Sequence, residues 1–346
     1  MTGLNYVIVG AGSAGSVVAN RLSENVFDHI LLLEAGGDEN EISDIPGLVH
    51  YLQLSDLDWK YKTEPQANAC LGYTGNRCNW PRGKVLGGSS VLNYMLYVRG
   101  NRRDYDNWES MGNAGWGYDD VLPYFKKSED NKNPYLARNK PPWRTPIAEL
   151  YVRAGVELGY PNVDYNSRSQ REKERDVPRQ KPFLRPANKR KNLHVAKHSF
   201  VTKILIDPDT RKVRGVRLHR YGKIYNIFAR KEVIVSAGPL TVLGGLEGVG
   251  FVDTIYAEEP EWPDIEFHLL TGTFASDGGR QLRKTIGFTE RSWRAVYLPI
   301  AFRDAINIFP KLLRPASRGT IRLRSRNPFI KPLIDPNILT QLDIQD

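Results

Sequence analysis

The 346-residue sequence holds only two cysteines and three methionines, and no apolar run approaches the ~18 residues that a membrane-spanning helix needs. No membrane span is therefore expected. Two cysteines cannot close a zinc site by themselves, and no histidine spacing completes one. Cys70 and Cys78, with seven residues between them, read as a local disulfide of an exported protein or as two free thiols. No secretory leader is read, because Met1 to Asn5 run straight into a strand-like apolar segment. A nucleophile elbow is also missing, since Ser236 sits in S-A-G rather than G-x-S-x-G. The six histidines form no constellation. His29, His50, His194, His198 and His219 occupy ordinary positions, and His268, in D-I-E-F-H-L-L, alternates on an expected strand.

The formal charge is +10, and its location matters more than its size. Arg168 to Lys191 carries ten Lys and Arg against Glu172, Glu174 and Asp176. With Pro178, Pro182 and Pro186 and few apolar residues, residues 168–191 read as a basic loop or linker. No aromatic-interleaved platform accompanies this charge, so no nucleic-acid partner is expected.

What is present describes a folded globular chain of one large or two ordinary domains, with 40% hydrophobic and 25% charged residues. The apolar run Tyr6 to Val9 reads as a buried strand, followed by G-A-G-S-A-G at Gly10 to Gly15 and then by helical spacing at Val17, Val18, Arg21 and Leu22. A second run, Ile30 to Leu33, ends in Glu34. Strand, glycine turn, helix and strand make the opening βαβ unit of a doubly wound α/β sheet. Gly10 permits the tight turn, Gly12 lets backbone approach a pyrophosphate, and Gly15 permits close packing of helix on strand. Unpaired N–H groups at the helix start favour phosphate. Glu34 lies where a carboxylate accepts ribose hydroxyls and repels a 2′-phosphate, which leaves FAD or NAD.

Gly83 to Asn93, G-K-V-L-G-G-S-S-V-L-N, is the second informative stretch. Four small residues in a row, Gly87 to Ser90, can offer backbone N–H groups without steric screening, and Asn93 adds an amide. A flavin needs such a second contact and NAD does not, so this segment favours FAD.

Arg82 to Gly100, R-G-K-V-L-G-G-S-S-V-L-N-Y-M-L-Y-V-R-G, resembles the first signature of the glucose–methanol–choline (GMC) flavin oxidoreductases, and most closely their insect glucose dehydrogenase-like branch. The resemblance extends to L-L-L-E-A-G-G-D at Leu31 to Asp38, W-E-S-M-G-N-A-G-W-G-Y-D-D at Trp108 to Asp120, and A-R-K-E-V-I-V-S-A-G at Ala229 to Gly238. It implies a Rossmann-type FAD-binding domain from residues 1–110 and 190–240, interleaved with an α+β substrate domain from 111–189 and 241–346. It also implies roles: Gly10, Gly12, Ser13, Ala14 and Gly15 at the pyrophosphate, Glu34 and Ala35 at the ribose, Val85, Gly88, Asn93 and Met95 around the flavin, and Val201 on the adenine side. The implied reaction passes hydride from the CH–OH group of an alcohol or sugar to the flavin, with a quinone or dye-like acceptor, in a family whose insect members are commonly exported.

The sequence departs from the family pattern after Gly238, near Lys140 to Trp143 and near Gln170 to Lys181, where family blocks are expected and absent. The family's C-terminal histidine base, in H-x-x-G-T, is not found before Asp346. These departures predict that both domains are incomplete. They leave a second reading beside the oxidoreductase, that of a non-catalytic FAD-binding remnant with little dehydrogenase activity. No catalytic residue is assigned, His268 being the nearest candidate for a substitute base.

Overall fold

The computed structural model describes residues 3–94, 98–129, 145–160, 162, 184–187, 189–237, 248–259, 262–270 and 272–340. Met95 and the three places where family blocks are expected to be absent fall wholly or largely outside them. In chain order the strands are β1 (Tyr6–Val9), β2 (Ile30–Leu33), β3 (Tyr61–Lys62), β4 (Asn79–Trp80), β5 (Leu193–Ala196), β6 (Phe200–Ile206), β7 (Val213–Arg220), β8 (Lys223–Phe228), β9 (Glu232–Val235), β10 (Gly248–Val252), β11 (Ile265–Leu270), β12 (Asn307–Leu312), β13 (Thr320–Arg322) and β14 (Leu333–Asp335). The helices needed below are α1 (Ser13–Leu22), α2 (Arg102–Ser110), α3 (Tyr118–Glu129), α4 (Pro146–Glu157) and α5 (Leu184–Ala187).

β5, β2, β1 and β9 form one parallel sheet in that order. A parallel sheet buried on both faces needs apolar residues at every position, which is why β2 reads Ile-Leu-Leu-Leu without alternation. The period-two geometry then divides those residues between two cores. Ile8, Ile30 and Leu32 face α1 with Ala19, Ala187 and Leu193. Val7, Leu31 and Leu33 face the antiparallel meander β6–β7–β8 through Val216 and Leu218. Three layers result: helix, parallel sheet and meander.

The basic segment is not a loop throughout. Leu184 to Ala187 form the short α5, and Ala187 is fully buried in the α1-side core. Arg190 Nη1 donates to the Asn20 carbonyl at 2.5 Å and to Ser23 Oγ at 2.6 Å. An arginine read as solvated charge instead caps the end of α1, where the last carbonyls lack intrahelical donors.

β10–β11–β12 form a separate antiparallel sheet. The β13–β14 hairpin is tied to the β3–β4 region by Glu64 N–H to the Ile334 carbonyl at 2.7 Å and Gln66 Nε2 to Asp335 Oδ1 at 3.0 Å. Cys70 and Cys78 are joined as a disulfide, with Cα atoms 5.7 Å apart, rather than left as two free thiols. Closure of an eight-residue loop is worth about 2.5 kcal/mol of chain entropy. Changing both cysteines to serine is expected to lower the urea midpoint by a corresponding amount, and an unshifted midpoint would show that the bridge constrains nothing.

Candidate functional site

At the carboxyl edge of the parallel sheet, β1 leads into Gly10, β2 into Glu34 and β9 into Ser236. β1 is the strand at which connection order reverses, with β2 on one side and β9 on the other, the position at which open α/β sheets take their ligands. Gly10 has φ +97°, and a Cβ there would lie 3.0 Å from the Ser236 carbonyl oxygen. At Gly15 a Cβ would come within 1.9 Å of the Gly10 carbonyl oxygen. These two glycines are required by protein packing alone.

Gly12 differs. It is the N-cap of α1, no side chain caps the helix, and a Cβ on it would meet nothing nearer than Gly88 Cα at 3.8 Å. The first intrahelical bond runs from Ser16 N–H to the Gly12 carbonyl at 3.0 Å, so the N–H groups of Ser13, Ala14 and Gly15 precede the helical ladder. Ser13 and Ala14 are solvent-exposed. A ten-residue helix with an uncapped N-terminus beside open space suits an anionic diphosphate.

Glu34 is 5% exposed, and its carboxylate is fixed by the neighbouring backbone. Oε2 accepts from Ala11 N–H at 3.0 Å and Oε1 from Gly36 N–H at 2.9 Å. Each oxygen keeps a second lone pair, enough for two ribose hydroxyls. Burial lifts the Glu34 carboxyl above its ordinary 4.5, against the pull of the Gly36, Ala11 and Ala35 backbone and of Lys84. A carboxyl whose folded pKa exceeds its unfolded value gains stability as pH falls through the folded pKa, and the gain is complete below about 4.5. Relative to Glu34→Gln, the wild type is expected to gain stability as pH is lowered from 7 towards that value. Parallel pH profiles of the two proteins in urea unfolding would refute this.

The small-residue run Gly87 to Ser90 meets the glycine loop directly. Gly88 has φ +58°, and a Cβ on it would lie 2.7 Å from Gly12 Cα. A Cβ on Gly83 would lie 2.2 Å from the Gly88 backbone, and one on Gly36 only 1.9 Å from the Lys84 carbonyl oxygen. Gly87 N–H donates to the Ala11 carbonyl at 2.9 Å, and Gly88 N–H to the Val85 carbonyl at 2.7 Å. The N–H groups of Gly87 and Gly88 are therefore consumed within the protein, contrary to the expectation that they are offered to a ligand. Backbone-to-backbone contact between two loops sets the residue size here.

Val85 is fully buried and bridges in parallel to Gly37. Asn93 is half-buried, next to Tyr94, whose phenol burial pushes up to about 12 while Gln53 bonds to it. The structure thus brings Gly10, Gly12, Ser13, Ala14, Gly15, Glu34, Ala35, Val85 and Gly88 together at the carboxyl edge of the parallel sheet. Val201 belongs to β6 in the meander layer, where its half-buried side chain packs on the Leu31–Val216 core. His268 is 3% exposed in the separate antiparallel sheet. Its Nε2 lies 2.8 Å from Glu266 Oε1 and 3.0 Å from Lys311 Nζ.

Sequence reasoning passed over Asp58, which is 3% exposed and shapes the approach to the glycine-rich segment. Its carboxylate accepts from the N–H groups of Arg82 at 2.8 Å, Leu54 at 2.8 Å and Lys60 at 3.0 Å. No motif marks it, because the groups that donate to it are backbone N–H groups of any residue type. Gly36 and Gly37 were legible as a glycine pair after Glu34, but not their target, the 84–85 backbone. Among the described residues no His, Cys, Asp and Glu group is arranged to hold a metal, and no helix is long and apolar enough to cross a membrane.

Residues 4–243 match the GMC oxidoreductase family. Glucose dehydrogenase [FAD, quinone] of Drosophila pseudoobscura pseudoobscura is 36% identical over 416 aligned positions, covering 97% of this chain and 67% of that protein. The oxygen-dependent choline dehydrogenase of Vibrio vulnificus is 36% identical over 99% of this chain and 74% of its own length. A 416-position alignment to a 346-residue chain leaves at least 70 aligned positions with no residue here, in keeping with family blocks missing inside the sequence. Among solved structures, pyridoxine 4-oxidase from Mesorbium loti superimposes with a TM-score of 0.77 over 98% of this chain and 77% of that one, at 23% identity, a likeness of fold. A glycine loop locked against a second glycine-rich segment, together with these matches, makes the chain a member of the GMC oxidoreductase family.

Proposed function

We propose that this chain is an FAD-dependent oxidoreductase acting on the CH–OH group of an alcohol or sugar, with its flavin across the seam where Gly12 meets Gly88. That contact is the observation that supports the reading, because it sets the uncapped start of α1 against the small-residue segment. The proposed cofactor domain takes residues 1–110 and 190–240, and the substrate domain 111–189 and 241–346. The relatives named for glucose and choline supply the donor class, and the insect relative's quinone supplies the acceptor class.

The bound flavin supplies the acceptor for a hydride from the donor carbon. The protein's own groups hold and orient. N–H groups at Ser13 to Gly15 bond the diphosphate, and the helix dipole favours its charge. Glu34, immobilised by Ala11 and Gly36, accepts the ribose hydroxyls with its remaining lone pairs. Buried Val85 and the tight 83–90 turn keep water from one side of the crevice. Two electrons and two protons leave the donor, and a quinone acceptor takes both. Removal of the hydroxyl proton needs a base, a group worth roughly 10²–10⁴ in rate.

Refolding with excess FAD is expected to yield a yellow protein that reduces a dye with glucose or an alcohol as donor. Gly12→Val is expected to lose the colour, since the isopropyl group fills the space beside the helix start. A chain that binds NAD and retains no flavin would overturn the assignment.

A further inference from the structure

A second cavity, about 460 Å³, lies between the β3–β4 ribbon and the 324–332 loop. Five cations line it, Lys60, Lys62, Arg77, Arg324 and Lys331, and no acid does; the remaining wall is largely apolar and includes the rings of Tyr61 and Phe329. We propose that this pocket binds a small polyanion with a flat apolar body, at a site separate from the glycine-loop crevice.

The charge is under-compensated. Arg77 and Arg324 both bond the single carboxylate of Glu64, Arg77 at 3.3 Å. Lys60 pairs with Asp56 at 3.2 Å, and Asp56 is fully exposed, so water screens that pair. Lys62 makes no ion pair among the described residues, and Lys331 Nζ donates to the neutral Lys60 carbonyl at 2.8 Å. Two carboxylates pair with these five cations, and a third, Asp58, attracts Lys331. The ammonium of Lys331 is disfavoured by burial, and Lys60, Lys62 and Lys84 also repel it, against the pull of Asp58. A bound polyanion relieves that repulsion, and guanidinium forks match phosphate, sulfate or carboxylate oxygens.

The apolar wall is held in place. Trp59 stacks on Tyr61 at 5.9 Å with planes 10° apart, and Phe329 packs on Phe200 at 5.5 Å. Lys84 lies over the Trp59 ring at 5.2 Å. Rings fixed by other rings offer a flat ligand a face at small entropic cost. The cavity volume is that of an ordinary small-molecule site.

The test titrates the FAD-loaded chain with pyrenetetrasulfonate, a flat tetra-anion, by fluorescence anisotropy. One saturable site is expected. Lys62→Glu with Lys331→Glu is expected to weaken it roughly tenfold or more, and Phe329→Ala about threefold. Lys126→Glu with Lys127→Glu, two exposed lysines of α3 that do not line the cavity, is expected to leave affinity within about twofold. Flavin absorbance at wild-type occupancy keeps loss of fold separate from loss of binding, and Lys62→Gln is the milder substitute if the double variant loses flavin. Binding indifferent to the 62 and 331 changes, or equally weakened by those at 126 and 127, would mean attraction to the net charge of the chain and would overturn the proposal.

Discussion

Gly15→Ala is expected to destabilise the chain by about 3 kcal/mol or more, with or without cofactor. The added Cβ would stand 1.9 Å from the Gly10 carbonyl oxygen and 3.1 Å from its carbon. Both obstacles are backbone, and Gly10 is itself held by its N–H bond to the Leu33 carbonyl at 2.8 Å. The clash can be relieved only by moving α1 off the sheet, which opens the core of Ile8, Ala19, Ile30 and Leu32. Gly12→Ala is the control three residues away. Its Cβ meets only Gly88 Cα, at an ordinary 3.8 Å, so stability of the cofactor-free chain is expected to change by less than about 1 kcal/mol. Urea unfolding of the two cofactor-free variants separates them. Equal midpoints would mean that Gly15 is not a packing glycine.

Gly88→Ala is expected to break the seam rather than the fold. At φ +58° an alanine costs roughly 1–2 kcal/mol by itself. Its methyl would also stand 2.7 Å from Gly12 Cα, so either the 83–90 turn or the start of α1 must yield. Neither side yields freely: the turn is tied by N–H bonds from Lys84 to Leu57, Leu86 to Gly37 and Gly87 to Ala11, and α1 packs along its length on the sheet. Stability is therefore expected to fall by about 2 kcal/mol while flavin affinity falls on the order of 100-fold, because both sides of the crevice are displaced. Equilibrium dialysis of FAD, read beside a far-ultraviolet spectrum close to wild type, tests the division. Unchanged flavin affinity would place the cofactor elsewhere.

The same two segments show how much was legible beforehand. β1, α1 and β2 could be bounded from apolar runs, glycine spacing and the acid after Leu33, since each rests on neighbours within about 30 residues. The family could be recognised from Gly83 to Asn93 for the same reason: the signal lies in consecutive residues. The use of those residues was not legible. Small side chains at 87 and 88 say that something approaches closely, but a ligand and another loop impose the same size limit. Only the tertiary structure shows that Gly12 is what Gly88 touches and that the N–H groups of Gly87 and Gly88 are already bonded.

Long-range charge followed the same division. Arg190 was counted within a basic loop, yet it bonds Asn20 and Ser23, some 170 residues earlier. Lys62, Arg77, Arg324 and Lys331 stand apart in the sequence and line one cavity in the fold. Local order, cofactor class and family were determined by the sequence itself, because short-range sterics and helix-start chemistry are written in adjacent residues. Which glycines serve packing between segments, and where positive charge accumulates, were decided only by the tertiary structure, because each depends on distances between segments that the chain brings together only on folding.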